Sequence, residues 1–123
     1  MSRDYRKLDV FWLADELAME IYRATNQFPK SELFGLTSQL RRAGLSVPTN
    51  IVEGSHRESS AEYIRFLDIA LGSLAEAGYQ IDFAHRLGYF DDATFELLSS
   101  KHGQCIRMLK GLIKSCKSEF LKK

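Results

Sequence analysis

A chain of 123 residues, 45% of them hydrophobic, has the length of one domain and enough apolar surface for a real core, which excludes a disordered tail protein. The formal net charge of +1 carries no information about partners until the charges are located, and no stretch approaches the roughly eighteen uncharged residues needed to span a bilayer. The opening M-S-R-D-Y-R-K is charged and leads into no apolar run of signal-peptide type, so the expectation is a soluble cytoplasmic protein with reduced thiols.

With only two prolines and no alternating Val/Ile/Thr-rich runs, the hydrophobic period is helical throughout, and it predicts four helices in one domain over 1–123. The first spans about 9–25, with Phe11, Trp12, Ala14, Ala18, Ile21 and Tyr22 as its apolar face, and breaks at Asn26 and Pro29. The second spans 31–54, with Ser31 as N-cap and Glu32 in the first turn, and its seam runs through Leu33, Leu36, Leu40, Ala43, Val47 and Ile51. Pro48 falls inside it, four residues after Gly44, where a residue without a side chain eases the clash of the proline ring with the preceding turn. Asn50 lies on the seam as an amide that needs partners.

The third helix spans 59–87, opened by Ser59 with Glu62 three residues on, the pattern of a capping box. Its seam is Ile64, Leu67, Leu71, Leu74, Gly78, Ile81 and His85, and Tyr63, Ala70, Ala77 and Ala84 form a second stripe suited to close approach by a bundle neighbour or another subunit. A fourth helix spans 91–121, capped by Asp91 or Asp92, with Phe95, Leu98, Cys105, Leu109, Leu112 and Cys116 inward. Its two cysteines stand about 16 Å apart along the axis and cannot form a disulfide with each other. Short loops between all four favour an all-α, antiparallel, up-down-up-down four-helix bundle.

Candidate chemistry is sparse. Four-helix bundles that bind two metal ions use Glu-x-x-His motifs, and the chain offers Glu53-x-x-His56 and Asp82-x-x-His85. Gly54 and Ser55 end the helix before His56, and His85 sits on an apolar seam where a hydrogen-bonded core histidine is the commoner outcome, so a di-metal carboxylate enzyme is the remote alternative. His102 and Cys105, one turn apart on the apolar side, suit packing as well as thiolate activation. The eight glycines are scattered singly, without a phosphate loop. The expectation is no enzyme, no cofactor and no metal.

Charge distribution says more. From Lys101 onward there are seven basic residues against one acid, Glu119, whereas Glu53 to Glu96 holds nine acids against three bases. On a helix, Arg107, Lys110, Lys114 and Lys117 fall within an arc of about 80°, opposite Cys105, Leu109, Leu112 and Cys116. A basic stripe without interleaved aromatics suits contact with RNA or DNA backbone phosphates, and Arg41 and Arg42 could extend it. The same stripe would also serve as a solvated face or pair with an acidic neighbour.

The runs Q-L-R-R-A-G-L-S-V-P-T-N-I-V-E-G-S-H-R and E-Y-I-R-F-L-D-I-A-L-G-S-L-A-E, with F-P-K-S-E-L-F-G-L before and L-G-Y-F after, resemble the signature of the four-helix bundle proteins named for the intervening sequence of bacterial 23S rRNA genes. The resemblance covers about residues 10–120 and extends to the accessory variability proteins of diversity-generating retroelements. It implies a bundle assembling as a homopentameric ring, with nucleic acid or a reverse transcriptase as partners in the accessory proteins. It also implies structural or interfacial roles for Asn50, Glu53, Gly54, Ser73 and Glu76. Those accessory proteins are distinctly basic and this chain is nearly neutral, so any nucleic-acid contact here rests on the local stripe multiplied around a ring. The competing expectation is a protein-interaction scaffold with no direct role for nucleic acid.

Overall fold

The computed structural model describes residues 3–122. Among them there are four α-helices and no strand: α1 (Asp9–Thr25), α2 (Leu36–Ser55), α3 (Ser60–Arg86) and α4 (Asp92–Leu121), with short 3-10 turns at Tyr5–Lys7 and Lys30–Glu32. α2 and α4 both border α1 and α3, while the two diagonal pairs make no close backbone approach among the described residues. Leu17, Ile21, Leu40, Ile51, Leu67, Leu74, Ile81, Leu98 and Leu109, drawn from all four helices, are fully buried in one core. Truncating any of them to alanine is expected to cost about 2–5 kcal/mol.

The inward face of α1 is Val10, Phe11, Ala14, Leu17, Ala18 and Ile21. Trp12 and Tyr22, expected on that face, are instead outward: Trp12 is 52% exposed and its indole N–H donates to the Arg6 carbonyl at 2.9 Å, which fastens the first 3-10 turn to the helix. A face defined by spacing alone is wide enough to take in residues just past its edge, and amphipathic Trp and Tyr are at home there.

α2 begins at Leu36, later than the Ser31 cap predicts. Pro29 starts a 3-10 turn over Lys30–Glu32 instead, and Gly35 takes the N-cap position without a side chain to offer. Glu32 supplies the missing acceptor from outside: its Oε1 accepts the Leu36 N–H at 3.2 Å and its Oε2 accepts the Tyr89 hydroxyl at 2.9 Å. The helix then runs unbroken through Pro48 to Ser55. Gly44 also faces α1: a Cβ there would stand 2.8 Å from Ile21 Cδ1, so that side-chain end would have to shift. Gly54 lets α2 and α3 close up, since an added Cβ there would stand 2.8 Å from that of Phe66.

α3 is capped by Ser59, whose hydroxyl accepts the Glu62 N–H at 3.1 Å; the Glu62 carboxylate turns to Arg65 rather than back to the cap. Ala70, Ala77 and Ala84 are fully buried within the single chain, so the bundle itself occupies that stripe. Between α2 and α3, Gly54 lies against Phe66 and Ser46 meets Ser73. At one end of the bundle Phe28 packs on Tyr89 and Phe90, with ring centroids 5.2 and 4.9 Å away.

Candidate nucleic-acid interface

α4 positions the basic stripe. Asp91 opens the helix by accepting the Thr94 N–H at 2.7 Å, and that bond holds its carboxyl below the usual carboxylate range. Cys105, Leu109, Ile113 and Cys116 turn inward, which sends Arg107, Lys110, Lys114 and Lys117 to the surface, all four exposed. Arg107, Lys110 and Lys114 make no ion pair among the described residues, and Lys117 stands at the edge of pairing, 3.9 Å from Asp68 of α3. Two other basic residues of the segment are used differently. Lys101 reaches across to Glu16 of α1, and Lys122 is the helix C-cap; Lys123 lies outside the described residues.

Arg41 and Arg42 are not part of this face. They sit on α2, diagonal to α4, and Arg41 is engaged in closing the end of α1: it donates to Thr25 Oγ1 at 2.8 Å, to the Tyr22 carbonyl at 3.2 Å and to Asn26 Oδ1 at 3.0 Å, with its guanidinium over the Tyr22 ring. Arg42 is exposed and without an ion pair among the described residues.

The stripe borders a groove between α3 and α4 that sequence spacing does not single out. Leu71 and Ile113 form its floor, Leu121 its end, and Lys110, Lys114 and Lys117 with Asp68 its rim. The signal for it lay in half-buried Leu71 and buried Ile113 standing at the edges of two apolar faces, which spacing reads as core.

The residues implied as structural or interfacial divide into two sets. Asn50, Ser46 and Ser73 form one polar cluster between α2 and α3: Asn50 Nδ2 donates to the Ser46 carbonyl and hydroxyl at 2.8 and 2.9 Å, and the two serine hydroxyls meet at 2.9 Å. Since the Ser46 carbonyl can only accept, the amide nitrogen must face it. Gly54 is the close-approach position described above. Glu53 and Glu76, in contrast, are exposed; Glu53 pairs with Arg57 at 3.0 Å, and Glu76 makes no ion pair among the described residues.

The carboxylate–histidine motifs are held apart from one another. His56 is the C-cap of α2 and its Nδ1–H donates to the Val52 carbonyl at 3.0 Å. His85 is half-buried rather than in the core: its ring stacks on Phe95 at 3.9 Å and its Nε2 meets Asp92 at 2.8 Å, while Asp82 pairs with Arg86. No group of three or more His, Cys, Asp or Glu among the described residues is arranged to hold a metal ion. His102 donates from Nε2 to the Leu74 carbonyl at 2.7 Å and does not serve Cys105, whose thiol burial pushes up to about 11. No helix of the described residues is long and apolar enough to cross a membrane.

Comparison with known proteins agrees with this architecture. A solved structure of a protein of unknown function, from the S23 ribosomal protein family of Bacteroides thetaiotaomicron VPI-5482, superposes with a TM-score of 0.78 at 25% identity, over 85% of this chain and 95% of the other. Comparison with curated proteins finds no match. Residues 6–111, from the first 3-10 turn through most of α4, match the model of the 23S rRNA-intervening sequence protein family. With the helices, the Asn50 cluster and the Gly54 contact all inside that span, the chain belongs to the 23S rRNA-intervening sequence protein family.

Proposed function

We propose that this protein is a cytoplasmic, non-enzymatic antiparallel bundle that assembles into a homopentameric ring and grips RNA or DNA by its backbone phosphates. The observation that carries this reading is the α4 face, where Arg107, Lys110 and Lys114 stand exposed on one side of a helix and make no ion pair among the described residues. Phosphate contact needs such a row and no base-reading geometry. The crossed pairings of α2 with α3 support the up-down-up-down course. The Cys105 thiol, held protonated by burial, fits a structural rather than a nucleophilic role.

Fluorescence polarisation with a structured RNA and a DNA duplex, run across a salt series, tests the reading. Binding at low salt that weakens steeply as salt rises, and is abolished by combined charge reversal of Lys110, Lys114 and Lys117, is expected. Absence of binding at low salt, or binding indifferent to the reversal, sinks it. A second reading is favoured by one feature: the apolar floor of Leu71 and Ile113 between the lysines suits a protein segment with acidic and apolar side chains better than it suits phosphates. On that reading Leu71→Ala, which changes no charge in the stripe, weakens partner capture while leaving nucleic-acid binding unchanged.

A further inference from the structure

Besides the groove between α3 and α4, two aromatic surfaces built from different helices are left uncovered by the fold. The first lies over α1, α2 and their connection, where Tyr22, Phe34 and Leu45 line one shallow groove together with Arg42. Phe34 is 93% exposed, a phenyl ring standing free in water. The second is a seam on the outside of α3. Ile69, Glu76 and Phe83 recur every seven residues, with Tyr79 between the last two, and Glu76 and Phe83 each lie nine residues, or half a turn in angle, beyond the core residues Leu67 and Leu74. The seam therefore points directly away from the core. Tyr79 is 62% exposed and its ring lies 6.1 Å from that of Phe83.

The charges beside these surfaces are complementary. Arg42 on the first and Glu76 on the second are exposed, and neither has an ion-pair partner among the described residues; on the second, Asp82 is already paired with Arg86. Exposed aromatic residues rimmed by an unmatched arginine on one side and an unmatched glutamate on the other have the composition of the two halves of one protein interface. Because the halves lie on different faces of the same molecule, pairing either face with itself would bring two unmatched Arg42 or two unmatched Glu76 into one patch with no opposite charge to match them. Joining them head to tail matches charge and leaves each copy with one free half, the arrangement that forms a ring where the rotation between copies closes.

We propose that copies of this chain meet head to tail, with Phe34 and Arg42 of one copy seated on the Tyr79–Phe83 seam and Glu76 of the next. This rests on the ring assembly proposed above and names the surfaces that form it. The α4 stripe lies on neither surface and stays open to phosphate.

Light scattering at tens of micromolar protein tests the assignment, using Phe34→Asp and Tyr79→Asp, two exposed positions whose change leaves the core untouched. Each variant alone is expected to fall from the wild-type mass to that of a monomer. Mixed in equal amounts they are expected to give a species of two chains and no larger one, since each variant retains the half that the other has lost. A charge swap adds a readout free of apolar burial: Arg42→Glu and Glu76→Arg each weaken assembly, and the double variant regains it. A wild-type oligomer whose mass neither aspartate variant changes, loss of assembly in only one of them, or a mixture that stays monomeric overturns this interface and leaves the ring standing. A monomeric wild type overturns the ring and the interface together.

Discussion

At the scale of single residues, burial sets the chemistry more than neighbours do. Cys105 is fully buried on α4, and loss of water alone lifts its thiol from an ordinary 9.0 to about 11. Tyr63, whose buried hydroxyl has no hydrogen-bond partner among the described residues, is pushed to about 12, first by burial. Both groups are acids whose folded values lie above their unfolded ones. The folded chain therefore keeps protons that the unfolded chain has released, and the stability linked to them is complete below the unfolded value and lost as pH rises through the folded one. Urea midpoints should be flat from neutral pH to about 9 and then fall toward pH 11. Cys105→Ala, though less stable at neutral pH because it opens a small cavity, should show a shallower alkaline fall than the wild type. A parallel fall in both proteins would mean that Cys105 does not contribute.

At the scale of elements, the helices were legible to the degree that their ends carry side-chain chemistry. Ser59 and Asp91 each accept an N–H three residues on, as a cap must, and the starts of α3 and α4 lie within one residue of where those caps put them. The start of α2 was not legible, because its acceptor is a glutamate in the preceding 3-10 turn that also holds Tyr89, a contact 57 residues away in sequence. What spacing also hides is how closely the elements approach. Gly78 reads as one more position on an apolar seam, yet a Cβ there would stand 2.4 Å from His102 Nε2, in the place where that imidazole crosses from α4 to bond Leu74. Alanine is the better helix former by up to about 1 kcal/mol, so intrinsic propensity favours the exchange. Crowding opposes it: Gly78→Ala is expected to lose about 1–3 kcal/mol net, because the ring must leave its carbonyl or the helices must part. In the His102→Ala background the same change should be neutral or stabilising. Denaturation of the four proteins of this cycle measures the coupling, and additive effects would show that the two side chains do not compete for one space.

At the scale of the whole molecule, the near-neutral net charge conceals a sorting of charge by helix. Helix periodicity was enough to find the α4 stripe, because exposure on a helix follows from angle alone. It could not tell that Arg41 would be turned inward to the end of α1, nor that Phe34, in a turn without periodicity, would stand uncovered. The proposed assembly surface around Phe34 and the proposed phosphate-binding stripe of α4 share no residue, so the two proposed functions are separable by mutation. A single stripe of four basic groups binds weakly at physiological salt; several stripes carried on one ring convert later contacts into intramolecular ones and can raise affinity by about 10²–10⁴ without any new contact. Phe34→Asp leaves every residue of the stripe in place. It should therefore reduce affinity for an RNA long enough to touch several subunits by about a hundredfold or more, while affinity for a short oligonucleotide that spans one stripe stays the same. Polarisation titrations with both lengths, at one salt concentration, compare the two directly. Equal losses for long and short RNA would place Phe34 itself in the contact, and no loss for either would mean that one subunit suffices.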